Sequence, residues 1–185
     1  MERKDTDKKE KRKRRSLPKT FSHEEFLKII KYEDKKEFKL AYILGFYQVM
    51  RISEVTKLNP EDIDQSRGYI HILSGKGAKD RDIPLMKPTE MALRWGKKHL
   101  PIKYSIRTLQ RAFKKAGKEV LGKDLNFHML RHSGATSYLN GDITGKKVDI
   151  RHMQFLLGHS QLSTTEIYTH VTPSAVKKIF DEVYE

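Results

Sequence analysis

The chain has 185 residues, a formal net charge of +14 and no cysteine. That length allows one domain with a real core but not two full ones, and the missing thiols exclude a disulfide framework and a thiolate metal site. The basic balance implies a polyanionic partner, since neutralising phosphates releases their counterions; a membrane span is not expected, because the most apolar stretch, Leu40 to Met50, is short and broken by Gly45 and Gln48.

Residues 1–15 hold nine Lys or Arg against four acids, a net of +5, and no apolar residue follows Met1 until Leu17. This stretch cannot bury anything. Residues 1–17 are therefore expected to be a basic disordered arm or linker, either tracking a DNA backbone or simply solvated. No signal-peptide pattern is present, which fits a cytoplasmic protein. Ser22 and Glu25 form a capping box that opens a helix carrying Phe26, Ile29 and Ile30. Asp34 is expected to cap a second, strongly apolar helix, with Arg51 at its end. Ser53 is expected to cap a short third helix from Glu54 to Leu58. A guanidinium held between packed helices needs a partner; a snorkelling surface arginine is the bland alternative for Arg51.

Residues 68–73 and 81–85 are rich in β formers and flank a polar, Gly-rich turn, so a hairpin is predicted with Lys76 between two glycines in its loop. Gly75-Lys76-Gly77 lacks the spacing of a phosphate-binding P-loop. Lys79 and Arg81 are candidate phosphate contacts, with an exposed charged turn as the alternative. Pro88 begins another helix, to about His99. Residues 104–118 form an amphipathic helix whose Arg107, Arg111 and Lys114 either enter a DNA groove or face solvent.

Residues 128–140 form a helix stopped by Gly141, which puts His128 and Arg131 on one face. His128 and His132 are four apart, as in a zinc-type pair, but Met129 stands where a zincin needs glutamate. No metal is expected, and His132 reads as a satisfied core histidine. A further amphipathic helix ends at Gly158, directly before His159. Ser163 and Glu166 make another capping box, opening the helix that carries Tyr168. Residues 173–184 form a last helix whose Val176, Ile179, Phe180 and Val183 make one apolar stripe.

Two arginines, two histidines, a lysine and a tyrosine together suit phosphoryl transfer: arginines clamp phosphate oxygens, tyrosine attacks, and histidine moves protons. The segments His128–Thr136, Gln154–His159 and Ser163–His170 resemble the tyrosine recombinases, the phage-integrase and Xer group, over about residues 18–185. That resemblance fills six ordered slots with Arg51, Lys76, His128, Arg131, His159 and Tyr168. It implies an α+β, mostly helical catalytic domain with a small antiparallel β-sheet or hairpin. It also implies site-specific DNA strand exchange through a 3′-phosphotyrosyl intermediate, with Lys76 as general acid, Glu54 and His132 in support, and no cofactor. Double-stranded DNA would be the partner, with a homo-tetramer on synapsed sites. The last helix is expected to dock on a neighbouring protomer, with folding back on its own core as the alternative. A type IB topoisomerase, or a DNA-binding remnant without catalysis, would share much of this sequence logic.

Overall fold

The computed structural model describes residues 20–73, 80–158 and 173–184. It is a mostly helical α+β domain with a small antiparallel sheet, as the sequence implied. Helix α1 (His23–Tyr32) starts at the Ser22–Glu25 capping box. Helix α2 (Lys36–Tyr47) is the axis of the core: every residue from Leu40 to Tyr47 is buried. A helix apolar on all sides has to be surrounded, and α1, α4 (Lys87–Gly96), α5 (Ile106–Leu121) and α6 (Phe127–Asn140) all pack around it or its immediate neighbours. The Phe26 and Phe46 rings stack nearly parallel, 4.0 Å apart, locking α1 onto α2.

Helix boundaries differ from the sequence reading at both ends of α2 and at the start of α3, where Arg51 and not Ser53 is the cap, and the turn after α2 matters for the site. Lys35, not Asp34, is the N-cap of α2, and it makes no side-chain cap bond. Helix α2 ends at Tyr47 rather than at Arg51, and Arg51 is the N-cap of α3 (Ile52–Lys57). Between them Val49 takes a left-handed φ of 47°. A branched side chain rarely adopts that backbone, and here it turns the chain so that Arg51 leaves the core.

The hairpin strands β2 (Tyr69–Ile72) and β3 (Arg81–Pro84) pair antiparallel, and β1 (Ile63–Asp64) adds a third strand in the order β1-β2-β3. Two residues of β1 are too short to leave a periodic signal. Gln48, buried just after α2, ties the sheet to the core: its Nε2 donates to Pro84 O at 3.0 Å, and its Oε1 accepts from Met86 N at 2.8 Å.

Helix α6 crosses α2 at backbone distance. A Cβ on Gly134 would collide with the Phe46 carbonyl oxygen, and one on Gly45 would meet Phe127 and Leu130 at 3.1 and 3.3 Å. Glycine is thus required at 134 by space. Helix α7 (Ile150–Leu157) ends in Gly158, whose φ of 57° suits the left-handed cap. Helix α8 (Pro173–Tyr184) lies against β3 and buries Val176, Phe180 and Val183 in the same core as the rest of the chain. Phe180 meets Tyr138 edge to face at 5.2 Å, and the Tyr138 and Tyr184 hydroxyls bond at 2.7 Å. Within this chain the last helix therefore docks in cis, against the expectation that it reaches a neighbour. Among the described residues no helix is long and apolar enough to cross a membrane.

Two outcomes test this packing by urea denaturation. Gly134→Ala should destabilise by about 1–3 kcal/mol or more, since the added methyl meets backbone that cannot yield. Phe180→Ala should cost about 3–5 kcal/mol if α8 is part of the monomer core; a loss below about 1 kcal/mol would mean that the helix is only loosely held.

Candidate active site

The site forms where three helix ends meet: the turn after α2, the first two turns of α6, and the C-terminus of α7. Arg131 is buried on α6, and its guanidinium is held by two backbone carbonyls. Its Nη1 donates to Val49 O and its Nη2 to Leu157 O. Arg51 reaches the same Leu157 carbonyl through its own Nη2 at 3.4 Å. Leu157 ends α7, where helix carbonyls lack intrahelical partners and carry the negative end of the dipole. One helix terminus thus draws two guanidiniums together.

Like charges so placed repel, and the protein answers with one carboxylate. Glu54, with a side chain only 7% exposed, accepts from Arg51 Nη1 at 3.0 Å and from Arg51 N at 2.8 Å. Its two oxygens also receive Arg81 Nη1 at 3.1 Å and Nη2 at 3.3 Å, a bidentate pair. Burial pushes the Glu54 carboxyl up, but the bonds from Arg81 and Arg51 outweigh it and hold the group below its ordinary value. Burial, and then the Arg51 charge, push Arg131 down to about 10, which leaves it cationic at neutral pH. Arg51, Arg81 and Arg131 against Glu54 leave a net positive centre, and the Arg51 side chain stays 41% exposed. An anion entering from solvent would meet Arg51 directly.

His128 and His132 lie one turn apart on the exposed face of α6, with rings edge to face at 4.4 Å. His132 is therefore not the core histidine expected from the sequence. Partial burial of the His128 ring, with the charges of His132, Arg131 and Arg51 around it, pushes its pKa below the ordinary histidine value. A neutral imidazole beside two guanidiniums can accept a proton. Among the described residues no third His, Asp or Glu joins these two as a metal-ligand set.

Lys76, Lys79, His159 and Tyr168 fall outside the described residues, as does the basic arm at residues 1–17. Gly158, the residue before His159, closes α7 with its N–H on Gln154 O and Phe155 O. Arg107, Arg111 and Lys114 are exposed, and their i, i+4, i+7 spacing puts them on one face of α5. Arg111 and Lys114 border a shallow groove with Phe38 and Lys118, and Lys114 pairs with Asp124 at 3.0 Å. Arg81 departs from expectation. It is no exposed turn residue: its side chain is 12% exposed and turned onto Glu54. The signal was available, because Arg81 is two residues from the fully buried Ile83 on one strand and shares its face. The carbonyls of Val49 and Leu157 left no signal, since every residue type offers the same acceptor.

The chain matches the phage integrase family over residues 19–175. It is 36% identical over 183 residues to the tyrosine recombinase XerA of Pyrococcus horikoshii, covering 91% of this chain and 62% of that protein. A crystal structure of XerA recombinase superposes with a TM-score of 0.67 at 27% identity, over 90% of this chain and 65% of that one. The XerH site-specific recombinase, solved as a pre-cleavage complex on its difH substrate, gives a TM-score of 0.60 at 26% identity, over 86% of this chain and 52% of that one. The chain thus spans about three-fifths of the length of the curated relative it matches.

The lowered His128 pKa has a measurable consequence. As pH falls, the unfolded histidine takes up its proton first, so the stability this group contributes is present above pH 6.5 and is lost below it. NMR titration of the folded protein should give a His128 midpoint below 6.5. Arg51→Gln should move that midpoint upward by removing one repelling charge. A midpoint at or above 6.5 in the wild type would contradict the assigned environment.

Proposed function

The chain belongs to the phage integrase family, and on that premise we propose that it is the catalytic domain of a site-specific tyrosine recombinase, cutting and rejoining double-stranded DNA. Tyr168 attacks the scissile phosphate, forming a 3′-phosphotyrosyl bond and releasing a 5′-hydroxyl. Arg51 and Arg131 bind the non-bridging oxygens and stabilise the charge that grows on them in the transition state. Lys76 protonates the leaving 5′-oxygen. His128 takes the proton of Tyr168, whose ordinary pKa of about 10 makes it a poor nucleophile unaided. His159 donates a further hydrogen bond to the phosphate, and His132 packs against His128 in support. Religation reverses the steps with the energy kept in the phosphotyrosyl bond, so neither ATP nor a cofactor is invoked.

One observation carries this reading: Arg51 and Arg131 converge on the Leu157 carbonyl, two residues before His159. The three slots that fall among the described residues, Arg51, His128 and Arg131, belong to segments that meet at this point. The guanidiniums are held by main-chain carbonyls and one carboxylate, so they are oriented before any substrate arrives. The fold resemblance is to recombinases, which disfavours the topoisomerase alternative.

For DNA contact, Arg107, Arg111 and Lys114 on α5 are the accessible candidates, with Lys79 in the hairpin loop. A DNA partner is supported by the XerH relative's capture on its difH substrate, and assembly as a homo-tetramer on paired DNA sites is part of the same proposal. A cytoplasmic setting fits a DNA substrate and a chain without cysteine.

Incubation with nicked suicide DNA, followed by a denaturing gel, tests the proposal. The wild type should form a covalent adduct, and Tyr168→Phe should form none while still binding DNA. Arg131→Ala should slow cleavage by about 10²-fold or more, whereas Lys114→Ala should weaken binding with little change in the cleavage rate at saturating DNA. An adduct of full yield in Tyr168→Phe would sink the assignment.

A further inference from the structure

A cation at the start of β3, beside a hairpin loop, invites assignment as a phosphate contact. The geometry denies Arg81 that freedom. Both of its terminal nitrogens are committed to Glu54. The rest of its guanidinium fills the place where a side chain on residue 158 would begin: a Cβ on Gly158 would lie 3.0 Å from both Arg81 Cζ and Nε. Arg81 thus touches two parts of the site at once. One is the carboxylate that holds Arg51 by both side chain and main chain. The other is the cap of α7, next to Leu157, whose carbonyl binds both Arg51 and Arg131. Arg81 also pairs with Ile72 across the hairpin, at the strand ends that carry the Lys76 loop.

We propose that Arg81 is a positioning residue for strand cleavage: it acts through Glu54 to orient Arg51, and by packing on Gly158 it fixes the backbone from which His159 follows. It needs no contact with DNA. The inference rests on the recombinase reading above and deepens it, by linking the general-acid hairpin to the arginine pair.

Guanidinium shape is central to this role. Lysine would keep the charge but could not bond both Glu54 oxygens while covering Gly158. Methionine would keep much of the bulk and lose the ion pair. Glu54 would then be left with Arg51 alone, free to swing with it. Misplacement of a positioned group by about an ångström can cost on the order of 10²-fold in rate.

The test uses the full chain with nicked suicide DNA, at a temperature below the unfolding midpoint of every variant. Single-turnover cleavage at saturating DNA is measured for wild type, Arg81→Met, Arg81→Lys, Glu54→Gln and the Glu54→Gln/Arg81→Met pair, with binding measured across a salt series. Arg81→Met should cleave about 10²-fold more slowly, and Arg81→Lys should recover part of that loss. The slope of log affinity against log salt should match wild type. Adding Arg81→Met to Glu54→Gln should cost little more than either change alone, because the two residues act as one unit.

Should Arg81→Met fail to fold, Arg81→Lys carries the same comparisons. A salt slope reduced by about 1 with normal cleavage at saturation would make Arg81 a phosphate contact and overturn the proposal. Fully multiplicative losses with Glu54→Gln would overturn the route through Glu54. An adduct in wild type with unimpaired Arg81 variants sinks this inference alone; no adduct in wild type sinks the recombinase reading and takes this inference with it.

Discussion

The close crossing of α2 and α6 is the constraint on which the site depends. Gly134 brings the backbone of α6 against the carbonyl of Phe46, near the end of α2. Arg131 is one turn before Gly134 on α6, and Arg51 follows Phe46 by five residues. A larger residue at 134 would separate the helices and with them the two guanidiniums. The hydrophobic effect supplies the drive, through an axis helix buried from Leu40 to Tyr47. The missing Cβ sets the distance. The spacing of the arginine pair is therefore fixed at the level of main-chain contact, before any charged group is considered.

Electrostatics works within that frame. Three arginines gather around one buried carboxylate, an arrangement that would be unfavourable without full hydrogen bonding. Most of the polar atoms are given partners, the buried Nε of Arg81 excepted. Arg131 has two carbonyls, Glu54 has two guanidiniums and an amide, and Arg51 has Glu54 and Leu157. The surplus positive charge remains, directed to Arg51, the most exposed of the three. Burial first, and the same surplus charge second, lower the proton affinity of His128 and keep its ring neutral beside the anion site.

Much of the fold was legible in the sequence, because periodicity and caps are local. The Ser22 box, the α5 face, the Gly141 and Gly158 stops and the span of α8 all follow from residues within a turn of one another. What stayed hidden was the identity of the partner. The apolar stripe on α8 said that something must cover it, not whether its own core or another protomer would do so. Arg51 belonged to the start of α3 rather than to the end of α2, because a left-handed valine is a backbone event that residue type argues against. His132 was placed in the core because a histidine on an apolar helix is usually paired inside, and the α6 surface at that turn is open instead. The site's chemistry-bearing side chains could be named from their order alone, whereas the carbonyls that orient them could not. Lys76, His159 and Tyr168 rest on that order, being outside the described residues.

Val49 joins hydrophobic packing to the charged centre. Its left-handed backbone costs of order 1–3 kcal/mol, and full burial of its side chain holds it there. The carbonyl on that bend is one of the two that grip Arg131. The orientation of a guanidinium thus answers to the tightness of a greasy layer rather than to polar chemistry. As heat or a distant core substitution loosens that layer, the bend can relax toward an ordinary φ and swing its carbonyl away while every helix stays wound. On the recombinase reading, such a domain would lose strand cleavage on warming before it melts, and the gap between those two temperatures would measure how much of its core serves the reaction rather than the fold.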